Sequence, residues 1–225
     1  MTTNSMDDMP GGKISHRPLH FFWLADCSGS MGVDGKIQAL NTAIKEAIPE
    51  MRKAAQGHPE VEVKVRAIKF STGAQWHISQ ETPVETFEWK DLSADGVTDL
   101  GKALDLLVDA LDMQKIGTRA KPPVLVIVSD GQPTDDWQSS LEKLNKLPWG
   151  QKAMRAAIAI GQDADKEVLQ KFVNNPEFKV LEANNSQALV DCIKWVSTVA
   201  VKKASEEKTL GTLDQVTVSD KSDVW

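Results

Sequence analysis

The run Val124–Val128 (Val-Leu-Val-Ile-Val) is apolar at every position and stops at Ser129-Asp130-Gly131. A strand with no polar face has to be covered on both sides, which points to a parallel sheet between layers of helix. His20–Ala25 (His-Phe-Phe-Trp-Leu-Ala) has the same character and stops at Asp26. Two buried strands that each end on an aspartate constrain this chain more than any other feature.

The segments between them alternate in kind. Ile37, Leu40, Ile44, Ala47, Ile48 and Met51 recur at three and four, the spacing of a one-sided helix. Val61, Val63 and Val65 alternate in a run that continues to Phe70. After the turn Ser71-Thr72-Gly73, Ala74, Trp76 and Ile78 alternate again, so a hairpin is expected. Leu100, Ala103, Leu104, Leu107 and Leu111 mark a second helix, and Trp137, Leu141 and Leu144 a short third one. Ala153–Ile160 reads as a strand, Val168–Phe172 as a helix, Phe178–Leu181 as a short strand, and Leu189–Val199 as a closing helix. This order predicts an α/β, doubly wound fold. Its sheet is mostly parallel, with one antiparallel edge strand and helices on both faces.

The chain has 225 residues, ample for one large core without disulfides. Residues 19–203 read as one domain. Met1–Pro18, polar and punctuated by Gly and Pro, reads as a flexible arm. Ala204–Trp225 carries five acidic and two basic residues among Ser and Thr, and reads as a flexible acidic tail. The net charge is −6, and no Lys/Arg block provides a nucleic-acid footprint. No apolar stretch is long enough to span a bilayer. With two cysteines, Cys27 and Cys192, and no basic-then-apolar leader, a cytoplasmic protein is expected.

In open parallel sheets, ligands bind beyond the carboxyl ends of the strands. Three loops are expected at that edge: Asp26-Cys27-Ser28-Gly29-Ser30, Asp95-Gly96-Val97-Thr98-Asp99 and Ser129-Asp130-Gly131. An oxygen-only donor set with no His or Cys pair suits a hard cation. If the first loop is locally extended, Asp26, Ser28 and Ser30 face one way, with Gly29 allowing a tight turn between them. Hydroxyl ligands quench little of the ion's charge, so such a site stays open to a carboxylate from another molecule.

Asp26-x-Ser28-x-Ser30, then Thr98, then Asp130, resembles the metal-ion-dependent adhesion site (MIDAS) of von Willebrand factor type A domains, over roughly His20 to Lys203. Leu24–Met31 and Ser129–Trp137 look like the bacterial TerY-like branch, intracellular proteins associated with tellurite resistance and stress. The resemblance implies a Rossmann-like fold, and Mg²⁺ or Mn²⁺ held by Ser28, Ser30 and Thr98, with Asp26 and Asp130 acting directly or through water. A partner's Asp or Glu would complete the coordination. It also implies a serine/threonine kinase and a metal-dependent serine/threonine phosphatase as partners. Thr209, Thr212, Thr217, Ser219 and Ser222 in the tail are candidate phosphorylation sites. One departure stands out. Many relatives read Gly-Gly-Thr where this chain has Gly96-Val97-Thr98, and valine disfavours positive φ, so this loop is expected to sit differently.

Around the site, Trp137 and Trp89 are candidate rim residues for a partner, with core packing the alternative for each. Asp135 is a candidate partner contact or a modulator of the metal. Asp99, Asp135 and Asp136 also fit helix caps. Cys27 is expected to be buried and inert, and the four histidines have no ligand spacing. No nucleophile is paired with a base, so an enzyme is not expected. The haloacid-dehalogenase pattern would need an acid where Ser28 stands. An extracellular adhesion domain and a metal-coupled partner subunit of an AAA+ ATPase are the other readings.

Overall fold

The computed structural model describes residues 16–162 and 164–205. A six-stranded sheet with the order β3-β2-β1-β4-β5-β6 forms their centre. The strands are β1 (Arg17–Asp26), β2 (Val61–Ser71), β3 (Gly73–Pro83), β4 (Val124–Ser129), β5 (Met154–Ile160) and β6 (Leu181–Ala183). All neighbours are parallel except β2 and β3, the expected antiparallel edge.

Helices cover both faces, and the strands divide their side chains between them. Phe21, Trp23 and Ala25 of β1, with Val124, Val126 and Val128 of β4, pack towards α1 (Lys36–Gln56) and α7 (Ser186–Ser205). Phe22, Leu24, Leu125 and Ile127 pack on the opposite side. There they meet α2 (Leu100–Ala110), α4 (Trp137–Lys146) and α6 (Lys166–Val173). Period-two alternation on strands that are apolar at every position makes this two-sided core.

Several boundaries differ from the sequence reading. β1 begins at Arg17, so Arg17 and Pro18 belong to the sheet rather than to an arm. The Arg17 N–H bonds the Glu60 carbonyl, and ladder pairing needs only backbone, so it runs past the apolar residues that announce the strand. The last strand is Leu181–Ala183 and not Phe178–Leu181. The Gln170 amide donates to the Phe178 carbonyl and accepts from the Val180 N–H, taking the place of a ladder there. A 3₁₀ helix (Gly29–Gly35) and the short helices α3 (Met113–Ile116) and α5 (Pro148–Lys152) carry too few residues to show a period. α7 reaches Ser205, taking in Ala204 and Ser205 from the expected tail. The buried Lys121 ammonium donates to the Ser205 carbonyl (2.9 Å), a cation at a helix C-terminus. Thr209, Thr212, Thr217, Ser219 and Ser222 lie outside the described residues.

From β1 the chain first moves to β2 on one side and later returns to β4 on the other. Strand order therefore reverses between β1 and β4. The crevice at such a reversal is where open α/β sheets hold ligands, and Asp26 and Ser129 are the last residues of those two strands.

Candidate metal centre

The site starts from two carboxylates, Asp26 at the end of β1 and Asp130 just past the end of its neighbour β4. Asp26 is fully buried and Asp130 is 1% exposed. Burial raises the Asp26 carboxyl to about 6. Hydrogen bonds from Ser129 and Ser28 pull the other way, and the neighbouring Asp130 charge adds to the rise. Asp26 Oδ1 accepts from the Ser28 N–H (2.8 Å), and Oδ2 accepts from Ser129 Oγ (2.5 Å). Ser129 Oγ in turn accepts from the Gly131 N–H (2.8 Å), fixing the start of the loop after β4. Asp130 Oδ1 is buried with no hydrogen-bond partner among the described residues. An oxygen in that state costs free energy unless something positive meets it.

The hydroxyls come from the next turn. Ser28 is extended (φ −64°, ψ 167°), but the chain then winds into the 3₁₀ helix instead of remaining extended through Ser30. The Ser28 and Ser30 Oγ atoms nevertheless lie 3.0 Å apart. Gly29 serves close approach rather than an unusual φ. Its N–H donates to the Gly96 carbonyl (2.9 Å), and a Cβ on Gly29 would stand 3.1 Å from that oxygen.

Thr98 is brought in by the loop ahead of α2, which is bonded to both of its neighbours. Towards the hairpin, the Asp99 N–H donates to the Ser71 carbonyl and the Val97 N–H to Thr72 Oγ1. Towards the loop after β4, the Thr134 N–H donates to the Thr98 carbonyl (2.8 Å). Val97 is spared the conformation valine disfavours: Gly96 takes the positive φ (78°), while Val97 has none and stays exposed. The five predicted ligands thus sit on three mutually bonded loops at the switch point. Among the described residues no group of three or more His, Cys, Asp or Glu side chains is placed to hold a metal, so hydroxyls have to supply part of any coordination here. The oxygen-only set and the unpartnered Asp130 oxygen fit a hard divalent cation.

The surrounding residues divide differently from the sequence expectation. Trp89 is buried, and its indole N–H donates to Asn41 Oδ1 (2.9 Å), so it belongs to the core and not to a rim. Trp137 is also buried, in the cluster under α4 and α6, with the Lys171 ammonium 5.8 Å from its ring centroid. Asp136 caps α4 through the Ser139 N–H. Asp99 stands at the start of α2, but its carboxylate turns to the Gly73 N–H (2.8 Å) and to Lys102, whose hydrogen bond holds it below the usual carboxylate range. Asp135 is engaged with the N-terminus of α2. Cys27 donates its Sγ–H to the Phe70 carbonyl and burial pushes its thiol up, giving the inert cysteine expected. Ser129 and Thr134 were not singled out in the sequence, although Ser129 directly precedes a predicted ligand.

Against known proteins, the model of the von Willebrand factor type A domain matches residues 22–194. The chain belongs to this family. Solved structures share its fold at low identity. One is the von Willebrand factor type A protein from Catenulispora acidiphila, with TM-score 0.62 and 16% identity, covering 82% of this chain and 43% of that one. The open conformation of the pilus adhesin SpaC from Lactobacillus rhamnosus GG gives TM-score 0.64 and 15% identity, covering 83% and 30%. Proximal thread matrix protein 1 of the mussel byssus, solved with a zinc-occupied MIDAS motif, gives TM-score 0.60 and 17% identity, covering 81% and 48%. The match spans less than half the length of each of these chains. The sequence matches none of the curated proteins. Among the described residues, no helix of this type A domain is long and apolar enough to cross a membrane.

Proposed function

We propose that this type A domain is a non-enzymatic, metal-dependent protein-binding module. Asp26, Ser28, Ser30, Thr98 and Asp130 hold Mg²⁺ or Mn²⁺, and an acidic side chain of a partner protein completes the site. The observation that carries this reading is the buried Asp130 oxygen without a donor, beside a buried Asp26 whose charged neighbour is that same aspartate. Two adjacent carboxylates at a switch point call for a cation, and the adjoining Ser28 and Ser30 hydroxyls supply neutral oxygens for it. A bound divalent ion supplies charge neutralisation and an electrophilic position for an incoming carboxylate. The chain's own residues fix the donors: Ser129 and the Ser28 N–H orient Asp26, and Thr134 holds Thr98.

Ser28 stands where a hydrolase with a nucleophilic aspartate would need its general acid, which supports a binding role over a catalytic one. The resemblance of Leu24–Met31 and Ser129–Trp137 to the TerY-like branch supports a cytoplasmic place in a bacterial kinase and phosphatase stress module, with the tail hydroxyls as substrates. The zinc in the byssus protein's motif shows that a divalent ion occupies such a site in one relative of this fold.

The test pairs metal titration with capture. Calorimetry with Mg²⁺ and Mn²⁺ on wild type and Asp26→Ala reads the site directly. Pull-down from native lysate with Mg²⁺ or with EDTA, followed by mass spectrometry and phosphosite mapping, reads the partner. Partners that require both the ion and Asp26 are expected. Identical partners under all conditions would remove the metal from recognition.

A further inference from the structure

We infer that Asp135 and Thr134 are positioning residues for Thr98, so that the single loop after β4 sets both Asp130 and Thr98. This rests on the metal reading above. Thr134 and Thr98 exchange two hydrogen bonds: the Thr134 N–H to the Thr98 carbonyl (2.8 Å), and the Thr98 N–H to Thr134 Oγ1 (3.3 Å). One residue further on, the Asp135 carboxylate spans the first turn of α2. Its Oδ1 accepts from the Gly101 N–H (2.9 Å) and its Oδ2 from the Lys102 N–H (3.0 Å).

Those two N–H groups belong to the set that a helix cannot satisfy from within. The residue at the helix's own cap position, Asp99, leaves them open because its carboxylate is turned to Gly73 and Lys102. Asp135 therefore caps α2 from a different loop, and a carboxylate is favoured at that end of the helix. The approach is close enough to exclude a side chain: a Cβ on Gly101 would lie 2.9 Å from Asp135 Oδ2 and from the Asp136 carbonyl oxygen. Thr98 is itself the first of these two attachments, three residues before the second at Gly101. Asp130 begins the same loop that Thr134 and Asp135 end. Asp130 is also held from the other side, its carbonyl accepting from the Asp165 N–H (2.8 Å), so loss of Asp135 releases Thr98 and leaves Asp130 in place. This also moves Asp135 out of the role of a partner contact, since both of its oxygens are committed inward.

The experiment is a double-mutant cycle read by Mn²⁺ calorimetry on wild type, Asp135→Ala, Thr98→Ala and the double variant. EDTA melting curves check the fold of each. Asp135→Ala is expected to weaken Mn²⁺ about tenfold, as for other residues that hold a ligand without touching the ion. The double variant is expected to bind no more weakly than Thr98→Ala alone. Losses that multiply in the double variant would overturn the inference, because Asp135 would then act by another route. So would an Asp135→Ala protein with wild-type affinity. Should Asp135→Ala fail to fold, Asp135→Asn and Thr134→Val carry the same cycle, each expected to weaken Mn²⁺ and to lose that effect beside Thr98→Ala. A wild type that binds neither Mn²⁺ nor Mg²⁺ would overturn the metal reading itself, an outcome distinct from the failure of the clasp.

Discussion

The N–H of Gly29 donates to the carbonyl of Gly96 across 2.9 Å, and together with the Asp95 N–H on the Cys27 carbonyl (2.9 Å) it joins the serine loop to the threonine loop. Gly96 holds φ at 78°, and a Cβ there would run into the Thr72 side chain. Gly96→Ala is therefore expected to destabilise the fold by roughly 1–3 kcal/mol through left-handed strain plus the clash. Gly29→Ala, with ordinary φ and a 3.1 Å contact, should cost less stability but still weaken the metal. Urea unfolding in EDTA and Mn²⁺ titration separate the two effects. Equal unfolding midpoints for both variants would contradict this ordering.

Burial gives the metal-free protein an inverted acid response. The folded Asp26 carboxyl sits near 6, above its ordinary 3.8, so the folded state holds the proton more tightly than the unfolded chain. The stabilising contribution is complete below about 3.8 and is lost as pH rises through 6, to a limit of roughly 3 kcal/mol. In EDTA, wild type should melt lower at pH 7.5 than at pH 5 relative to Asp26→Asn, which lacks the titrating group. Parallel melting profiles for the two proteins would show that Asp26 does not titrate this way.

Ser28→Ala with Ser30→Ala removes two neutral donors whose oxygens lie 3.0 Å apart at the mouth of the site. Neither hydroxyl holds up the core, so the melting temperature in EDTA should stay within a few degrees of wild type. Mn²⁺ affinity should fall by more than ~100-fold, beyond the range for residues that only support a ligand. Calorimetry alongside circular dichroism checks both halves of this expectation.

Asn41 supplies a contrast, because its amide serves the fold and stays away from the ion. It donates to the Leu92 carbonyl and accepts from the Leu92 N–H and the Trp89 indole, all while buried. Asn41→Ala should cost roughly 2–4 kcal/mol by leaving those groups unpaired. Among molecules that remain folded, Mn²⁺ affinity should be unchanged. A selective loss of metal would instead tie Trp89 to the site.

The sheet was legible because β1 and β4 are apolar at every position, and only burial on both faces accommodates that pattern. The five predicted ligand positions were legible as loop residues because each follows a strand or precedes a helix that periodicity announces. Trp89 and Trp137 were not placed, since sequence neighbourhood to a loop does not say which way an indole turns. Asn41, 48 residues from Trp89 along the chain, decides one of them. Asp135 stayed open between a partner contact, a modulator of the metal and a helix cap for the same reason: its partners, the Gly101 and Lys102 N–H groups, are backbone donors on a helix more than thirty residues earlier. Side chains of Lys or Glu would have left a trace in charge pattern, whereas backbone donors leave none.

Lys121, whose ammonium closes α7, stands a full strand away from the candidate metal crevice. It grips Ser205 beside the Pro18 carbonyl, to which its own N–H also donates. Arg17 and Ser205 thus lie at the same edge of the described fold, and Asp26 lies at the other end of a ten-residue strand, about 30 Å away. The domain is fastened at one rim and keeps its candidate ligands at the opposite one, so the fastening and the crevice share no side chain.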